Sequence, residues 1–189
     1  MDFSLTEEQR MFEESVTRFA RTELAPGAAE RARSHVYPWD IARRMAEMGL
    51  MGIALQESDG GMGGTLVDAI IAIQAVAEAC PRSADVIQAG NFGPVRTFAE
   101  FATPDQKALY LGPILRGESV ISLGMTEPEA GSAVTELQTS AIPDGDDYLV
   151  NGTKIFGTHS AEAEVFLVYL RFGPGLDGIG SVLIEDRKS

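Results

Sequence analysis

The sequence has a single cysteine, Cys80, in 189 residues, so no internal disulfide can form and nothing ties the chain to an oxidising compartment. Next to Pro81, at the end of an Ala-rich run, Cys80 reads as a buried helix-end residue rather than a nucleophile. Histidine is almost as scarce. His35 and His159 are the only two, and neither has a Cys or carboxylate at metal-ligand spacing, so no metal motif is present. Neither belongs to a nucleophile triad, and Ser132 does not sit in a G-x-S-x-G elbow. Basic residues are few: 15 Lys and Arg against 28 Asp and Glu give a formal net charge of -13. That balance argues against a general nucleic-acid or anionic-membrane surface, while a small anionic ligand needs only a few local donors. No apolar run reaches membrane-spanning length. The start, Met1-Asp2-Phe3-Ser4 with Glu7 and Glu8 soon after, lacks the basic and apolar regions of a secretory signal. A soluble, cytoplasmic protein of one or two domains is expected, and its 44% hydrophobic and 23% charged residues are those of a globular chain.

What is present changes character part-way along. Thr6-x-x-Gln9 is a capping box with acidic Glu7 and Glu8 at the positive end of a helix. Phe12, Val16, Phe19 and Ala20 then recur at helical spacing until Pro26-Gly27. A second helix is expected from Pro38, with Ile41, Met45 and Met48 inward and Gly49 at its end. Residues 56–64 (QESDGGMGG) hold four glycines without the spacing of a phosphate loop, which points to close backbone packing. Residues 65–79 are apolar almost all round and read as a central buried helix. A fourth helix spans about 84–101 with a break near 90–94. Thr103-Pro104-Asp105 caps a fifth, with Leu109, Tyr110, Ile114 and Leu115 inward.

After Glu118 the pattern turns strand-like. Strands are expected at 119–125, 137–142, 148–150, 153–158, 164–171 and 181–185. Residues 143–147 (PDGDD) are turn chemistry, and Asn151-Gly152 is the strongest hairpin signal. The expected fold class is therefore α+β. An N-terminal all-helical domain (1–118) precedes a small, incomplete antiparallel β-domain (119–189). Its last strand stops near the chain end and leaves an edge uncovered, so the expectation is a chain that is incomplete or completed by a partner.

Residues 125–132, Met125-Thr126-Glu127-Pro128-Glu129-Ala130-Gly131-Ser132, lie at the junction of the two regions. They offer two hydroxyls and a glycine that permits close backbone approach, suited to holding a polar or planar ligand. Thr126-x-x-Glu129 equally fits a capping box, and on spacing alone that is the better reading. Glu127 and Glu129 are acid/base candidates, though as a pair they read as a solvated loop.

The ordered set of motifs resembles the acyl-CoA dehydrogenase family over nearly the whole chain. It comprises Phe3-Ser4-Leu5-Thr6-Glu7-Glu8-Gln9, residues 49–64, Thr103-Pro104-Asp105-Gln106-Lys107, Tyr110-Leu111, residues 113–118, residues 125–132 and Val150-Asn151-Gly152-Thr153-Lys154. The resemblance implies an N-terminal helical domain, a middle β-domain and a C-terminal four-helix bundle, of which this chain covers the first two. It further implies FAD-dependent oxidation of the Cα–Cβ bond of an acyl-CoA thioester. A glutamate base removes the α proton, hydride passes to flavin N5, and an electron-transferring flavoprotein accepts the electrons.

Carried over by position, the resemblance places Leu123, Met125, Thr126, Gly131 and Ser132 in the first flavin-binding segment. Thr126 would bond the pyrimidine side of the ring, and Ser132 would meet both FAD and the CoA part of the substrate. Phe156, Gly157 and Thr158 match the second segment, usually Trp-Ile-Thr, with Thr158 near N5. His159-Ser160 stand where Asn-Gly is usual, and Ala133 where Asp commonly follows. The catalytic glutamate falls in the bundle, so no residue here is assigned as catalytic base. A homo- or hetero-oligomeric partner would supply that bundle. The resemblance thus describes the N-terminal half of a dehydrogenase or one component of a split enzyme. Alternatives are an inactive scaffold subunit pairing with a full-length relative, and a relative with oxidase or monooxygenase chemistry.

Overall fold

Thr6 opens the first helix as its spacing predicts. Its hydroxyl accepts the Gln9 N–H and Gln9 Oε1 accepts the Thr6 N–H, each at 3.1 Å, which satisfies two donors that a helix start leaves orphaned. The computed structural model describes residues 4–186, in two compact units, Met1–Ser119 and Val120–Ser189. In the first unit, α1 (Glu7–Phe19) widens into a π-helical stretch, Ala20–Leu24, and buries Val16, Ala20 and Leu24. A short helix the periodicity did not reveal, α2 (Ala28–Arg33), follows Gly27 at φ +79°. It buries none of its residues, so it leaves no apolar stripe to read. Arg31 on it donates to the carbonyls of Leu24 and Pro26 and so closes the end of the preceding helix.

Helix α3 (Trp39–Glu47) buries Ile41, Ala42 and Met45. Met48, expected inward, is 42% exposed, because it lies at the helix end where the chain turns through Gly49 at φ +72°. Helix α4 (Leu66–Ala79) starts with a capping box between Thr65 and Asp68. Gln9 Nε2 donates to Asp68 Oδ1 at 3.0 Å, fastening the start of α4 to that of α1. The helix is not buried all round. Ala69, Ala72 and Val76 are buried, whereas Leu66, Val67 and Ile70 on the other side are 39–53% exposed. Cys80, 1% exposed, joins α4 to α5 (Pro81–Asn91), as its position beside Pro81 predicts.

Helix α5 ends on Asn91, wholly buried. Its Nδ2 donates to the carbonyls of Leu50 (2.8 Å) and Ile87 (2.9 Å), and its Oδ1 accepts the Ile53 N–H at 2.5 Å. One amide thereby pins the apolar run 50–55 to the helix. The glycines that follow pack closely, as expected: a Cβ on Gly61 would lie 2.4 Å from the Leu55 carbonyl oxygen. Helix α6 (Pro94–Phe101) starts after the predicted break. The last helix begins with a Thr103–Gln106 capping box as α7 (Pro104–Gln106), passes through a π-helical stretch, Lys107–Leu111, and ends as α8 (Gly112–Leu115). The wider π turn carries Leu109 off the inward face that 3.6-residue spacing predicts, and it is 60% exposed.

The second unit is a five-stranded sheet: β1 (Ile121–Gly124), β2 (Ser140–Asp144), β3 (Asp147–Asn151), β4 (Val165–Arg171) and β5 (Ile179–Glu185). Strand β4 is its spine, burying Val165, Leu167, Val168 and Leu170. It pairs antiparallel with β5 along its whole length, parallel with β1 (Ile121↔Val165 to Gly124↔Val168), and parallel with β2 at Ser140↔Arg171. The sheet is therefore mixed, which corrects the expectation of an antiparallel one. The long excursion between β1 and β4 gives the chain room to return in the same direction.

The hairpin turn joins β2 and β3 through Gly145 at φ +65°, where PDGDD predicts a turn. Asn151-Gly152 makes no second hairpin, and residues 153–158 are not a strand. Gly152 serves a close crossing instead, since a Cβ there would lie 2.3 Å from Thr139 Oγ1. Phe156 at φ +56° is incompatible with a pleated strand.

The Asn91 contacts yield a stability test. Asn91→Leu leaves three buried backbone groups without this partner, at about 1–3 kcal/mol for each group left unsatisfied. A loss of at least roughly 2 kcal/mol is expected in urea unfolding followed by far-UV circular dichroism.

Candidate functional site

Strand β1 delivers the loop 125–132 directly from the sheet, and the loop turns at once. Glu127 and Ala130 exchange backbone hydrogen bonds of 3.0 and 3.2 Å across a tight turn, so no helix starts at Thr126 and the capping box does not form. The two glutamates part company. Glu129 is exposed, whereas Glu127 is only 5% exposed, against the expectation of a solvated pair.

Glu127 is the polar centre of the unit. Its Oε2 accepts the Gln138 N–H at 2.5 Å, and its Oε1 accepts the Thr139 N–H at 2.9 Å and Lys154 Nζ at 2.7 Å. Burial alone would raise this carboxyl. The Gln138 and Thr139 donors and the Lys154 ammonium outweigh it and hold the pKa down at about 2, because hydrogen bonds to the charged form favour that form. A carboxylate so held is no acid or base at neutral pH. Lys154 Nζ also donates to the Met125 carbonyl at 3.1 Å.

Around this pair the two predicted segments meet. The Ile155 N–H donates to the Thr126 carbonyl at 2.9 Å, and Ser122 Oγ on β1 donates to the Thr158 carbonyl at 2.8 Å. Leu123 lies on β1 opposite Leu167; Met125 and Thr126 follow it half-buried, and Gly157 is half-buried beside Ser122. Thr158 is exposed. Phe156 is 86% exposed at φ +56°, an aromatic ring presented outward from a backbone conformation that costs about 1–3 kcal/mol. His159 also has positive φ, +59°, and His is among the side chains enriched in that region.

Gly131 and Ser132 follow the turn and are exposed. Among the described residues, no hydrogen bond joins them to 156–158. These bonds join Ser122 and Thr126 to the segment 155–158; Leu123 and Met125 flank them in the chain, and no such bond ties in Gly131 or Ser132. Of the residues that hold this junction together, Lys154 and Ser122 are not among the expected site residues, and Glu127 is expected only as an acid/base candidate. The signal for two of them was there: opposite charges in two loop motifs of otherwise mixed polarity. Among the described residues, no group of three His, Cys, Asp or Glu side chains could hold a metal ion, and no helix is long and apolar enough to cross a membrane.

Residues 6–118 match the family model for the acyl-CoA dehydrogenase N-terminal domain, and residues 122–189 that for the middle domain. The chain belongs to the acyl-CoA dehydrogenase family. Over 187 residues it is 34% identical to the short-chain specific acyl-CoA dehydrogenase of Clostridium acetobutylicum, covering 98% of this chain and 49% of that one. The butyryl-CoA dehydrogenase of Megasphaera elsdenii superposes with a TM-score of 0.84 at 30% identity, over 99% of this chain and 50% of that one. The FAD complex of PigA does so with a TM-score of 0.89 at 27% identity, with the same coverage. The chain spans about half the length of the curated relatives it matches.

The Glu127 carboxyl gives a pH signature. Its pKa is depressed in the folded state, so its contribution to stability is present above the ordinary carboxylate value of 4.5 and fades as pH falls toward about 2. Glu127→Gln should lower the urea midpoint at neutral pH. The gap from wild type should narrow steadily below pH 4.5, as chemical unfolding at successive pH values would show.

Proposed function

We propose that this chain forms the helical and β parts of a FAD-dependent acyl-CoA dehydrogenase, active once a C-terminal helical bundle is supplied in cis or in trans. The observation that carries this reading is the junction of loops 125–126 and 153–158. It places two threonine-bearing segments side by side and presents an aromatic ring next to them. Those groups fit a planar, polar ring: hydroxyls at Thr126 and Thr158 for its edge and an apolar wall from Phe156.

In this reading Leu123 and Met125 shape the floor of the cofactor site, and Thr126 bonds the pyrimidine edge. Gly131 lets the backbone come close, and Ser132 meets the cofactor and the CoA portion of the substrate. Gly157 admits the ring beside β1, and Thr158 donates near the reacting nitrogen, where fixed dipoles stabilise developing charge. Bound FAD would supply the hydride acceptor for oxidation of an acyl-CoA Cα–Cβ bond. The glutamate base belongs to the bundle, and an electron-transferring flavoprotein is the proposed acceptor. A cytoplasmic location is part of the same proposal.

Co-purification with the C-terminal half of the C. acetobutylicum relative tests this. The complex should carry the visible flavin band and bleach on addition of a short acyl-CoA. In that complex Thr158→Val should lower kcat by about 10²-fold. A tight complex with no flavin and no bleaching would overturn the enzyme reading in favour of an inactive scaffold subunit.

A further inference from the structure

We propose that the buried Glu127–Lys154 pair is the positioning device of this site. It fixes Thr126 against the segment Phe156-Gly157-Thr158, so that both present their groups to one ligand. The functional meaning rests on the flavin reading above; the geometry stands on its own.

Between them, one carboxylate and one ammonium bind three backbone positions. Glu127 takes the N–H groups of Gln138 and Thr139, and Lys154 takes the carbonyl of Met125 while bonding Glu127. The end of β1, the approach to β2 and the segment 153–155 are thereby locked at one point. The lysine stem lies across β1 at Gly124, where a Cβ would stand 3.5 Å from Lys154 Cγ. The flanking bonds, Ile155 N–H to Thr126 carbonyl and Ser122 Oγ to Thr158 carbonyl, then set the register on either side.

A buried ion pair contributes little net stability compared with an apolar pair of similar shape. What it supplies is direction, because each charge demands specific partners once it leaves water. The side chains are 5% and 15% exposed, so neither charge has much water to fall back on. The pair carries no net charge. Its effect on the site is therefore geometric. Such control matters where the neighbouring backbone is strained, as at Phe156, since strained conformations persist only when the surroundings over-determine them.

Lys154→Met and Lys154→Arg, compared with wild type, test the assignment. In the 189-residue chain, Lys154→Met should speed hydrogen exchange at the Ile155 N–H by roughly tenfold or more. Amides of the β4–β5 ladder should keep wild-type rates. In the flavin-loaded complex the same variant should raise the FAD dissociation constant by roughly tenfold or more and shift the visible flavin band. Lys154→Arg, which keeps a cationic donor, should restore most of both. If Lys154→Met does not fold, the double variant Glu127→Gln, Lys154→Met removes both charges and is read in the same way. Unchanged exchange at Ile155 overturns the proposal, as does loosened exchange with unchanged FAD affinity and spectrum. A wild-type complex that takes no flavin overturns the parent reading and this one together. A wild-type complex that loads FAD beside an unaffected Lys154→Met complex overturns this one alone.

Discussion

A carboxylate taken out of water must find donors, and in the β-unit that requirement organises everything near the site. Glu127 finds two backbone N–H groups and one ammonium. Those three partners come from two separate segments, Gln138-Thr139 and Lys154. Satisfying one side chain therefore draws the approach to β2 and the stretch before Phe156 onto the end of β1. The sheet supplies the rigid support, with β4 buried between β5 on one edge and β1 and β2 along the other. Loops fastened to such a spine hold their shape more firmly than loops fastened only at their ends.

The helical unit solves a related problem with neutral groups. Asn91 satisfies the irregular run 50–55, and glycines bring the chain within contact of its own backbone. Helix α4 keeps Leu66, Val67 and Ile70 exposed while its other side fills the core with small residues. Small side chains let it lie close to α1 and α5, with Ile71 and Val76 the larger aliphatics of the helix that are buried. An all-apolar sequence is thus compatible with a half-exposed helix, because hydrophobicity alone does not say which side has a neighbour.

Much of the local structure was legible. The three capping boxes at Thr6, Thr65 and Thr103 form, although only those at Thr6 and Thr103 were predicted as caps, because a cap involves residues three positions apart. The turn at Gly145 was legible for the same reason. Local signals mislead where they compete with a distant contact. Asn151-Gly152 has the chemistry of a hairpin turn, yet Gly152 is there to pass Thr139. Thr126-x-x-Glu129 has the spacing of a cap, yet Glu127 between them turns inward to Lys154. The π-helical stretch Lys107–Leu111 interrupts the constant 3.6-residue periodicity that the sequence pattern suggests.

By itself the sequence determined the change from helix to strand after Glu118, the burial of Cys80, and the family, because each depends on residue identity, short-range spacing or motif order. Only the tertiary structure decided the direction of β1 and β4, the burial of Glu127, and the meeting of Thr126 with Ile155 and of Ser122 with Thr158. Those follow from which distant donors reach a charge and which strand edge lies open. Neither is a property of any short stretch of chain.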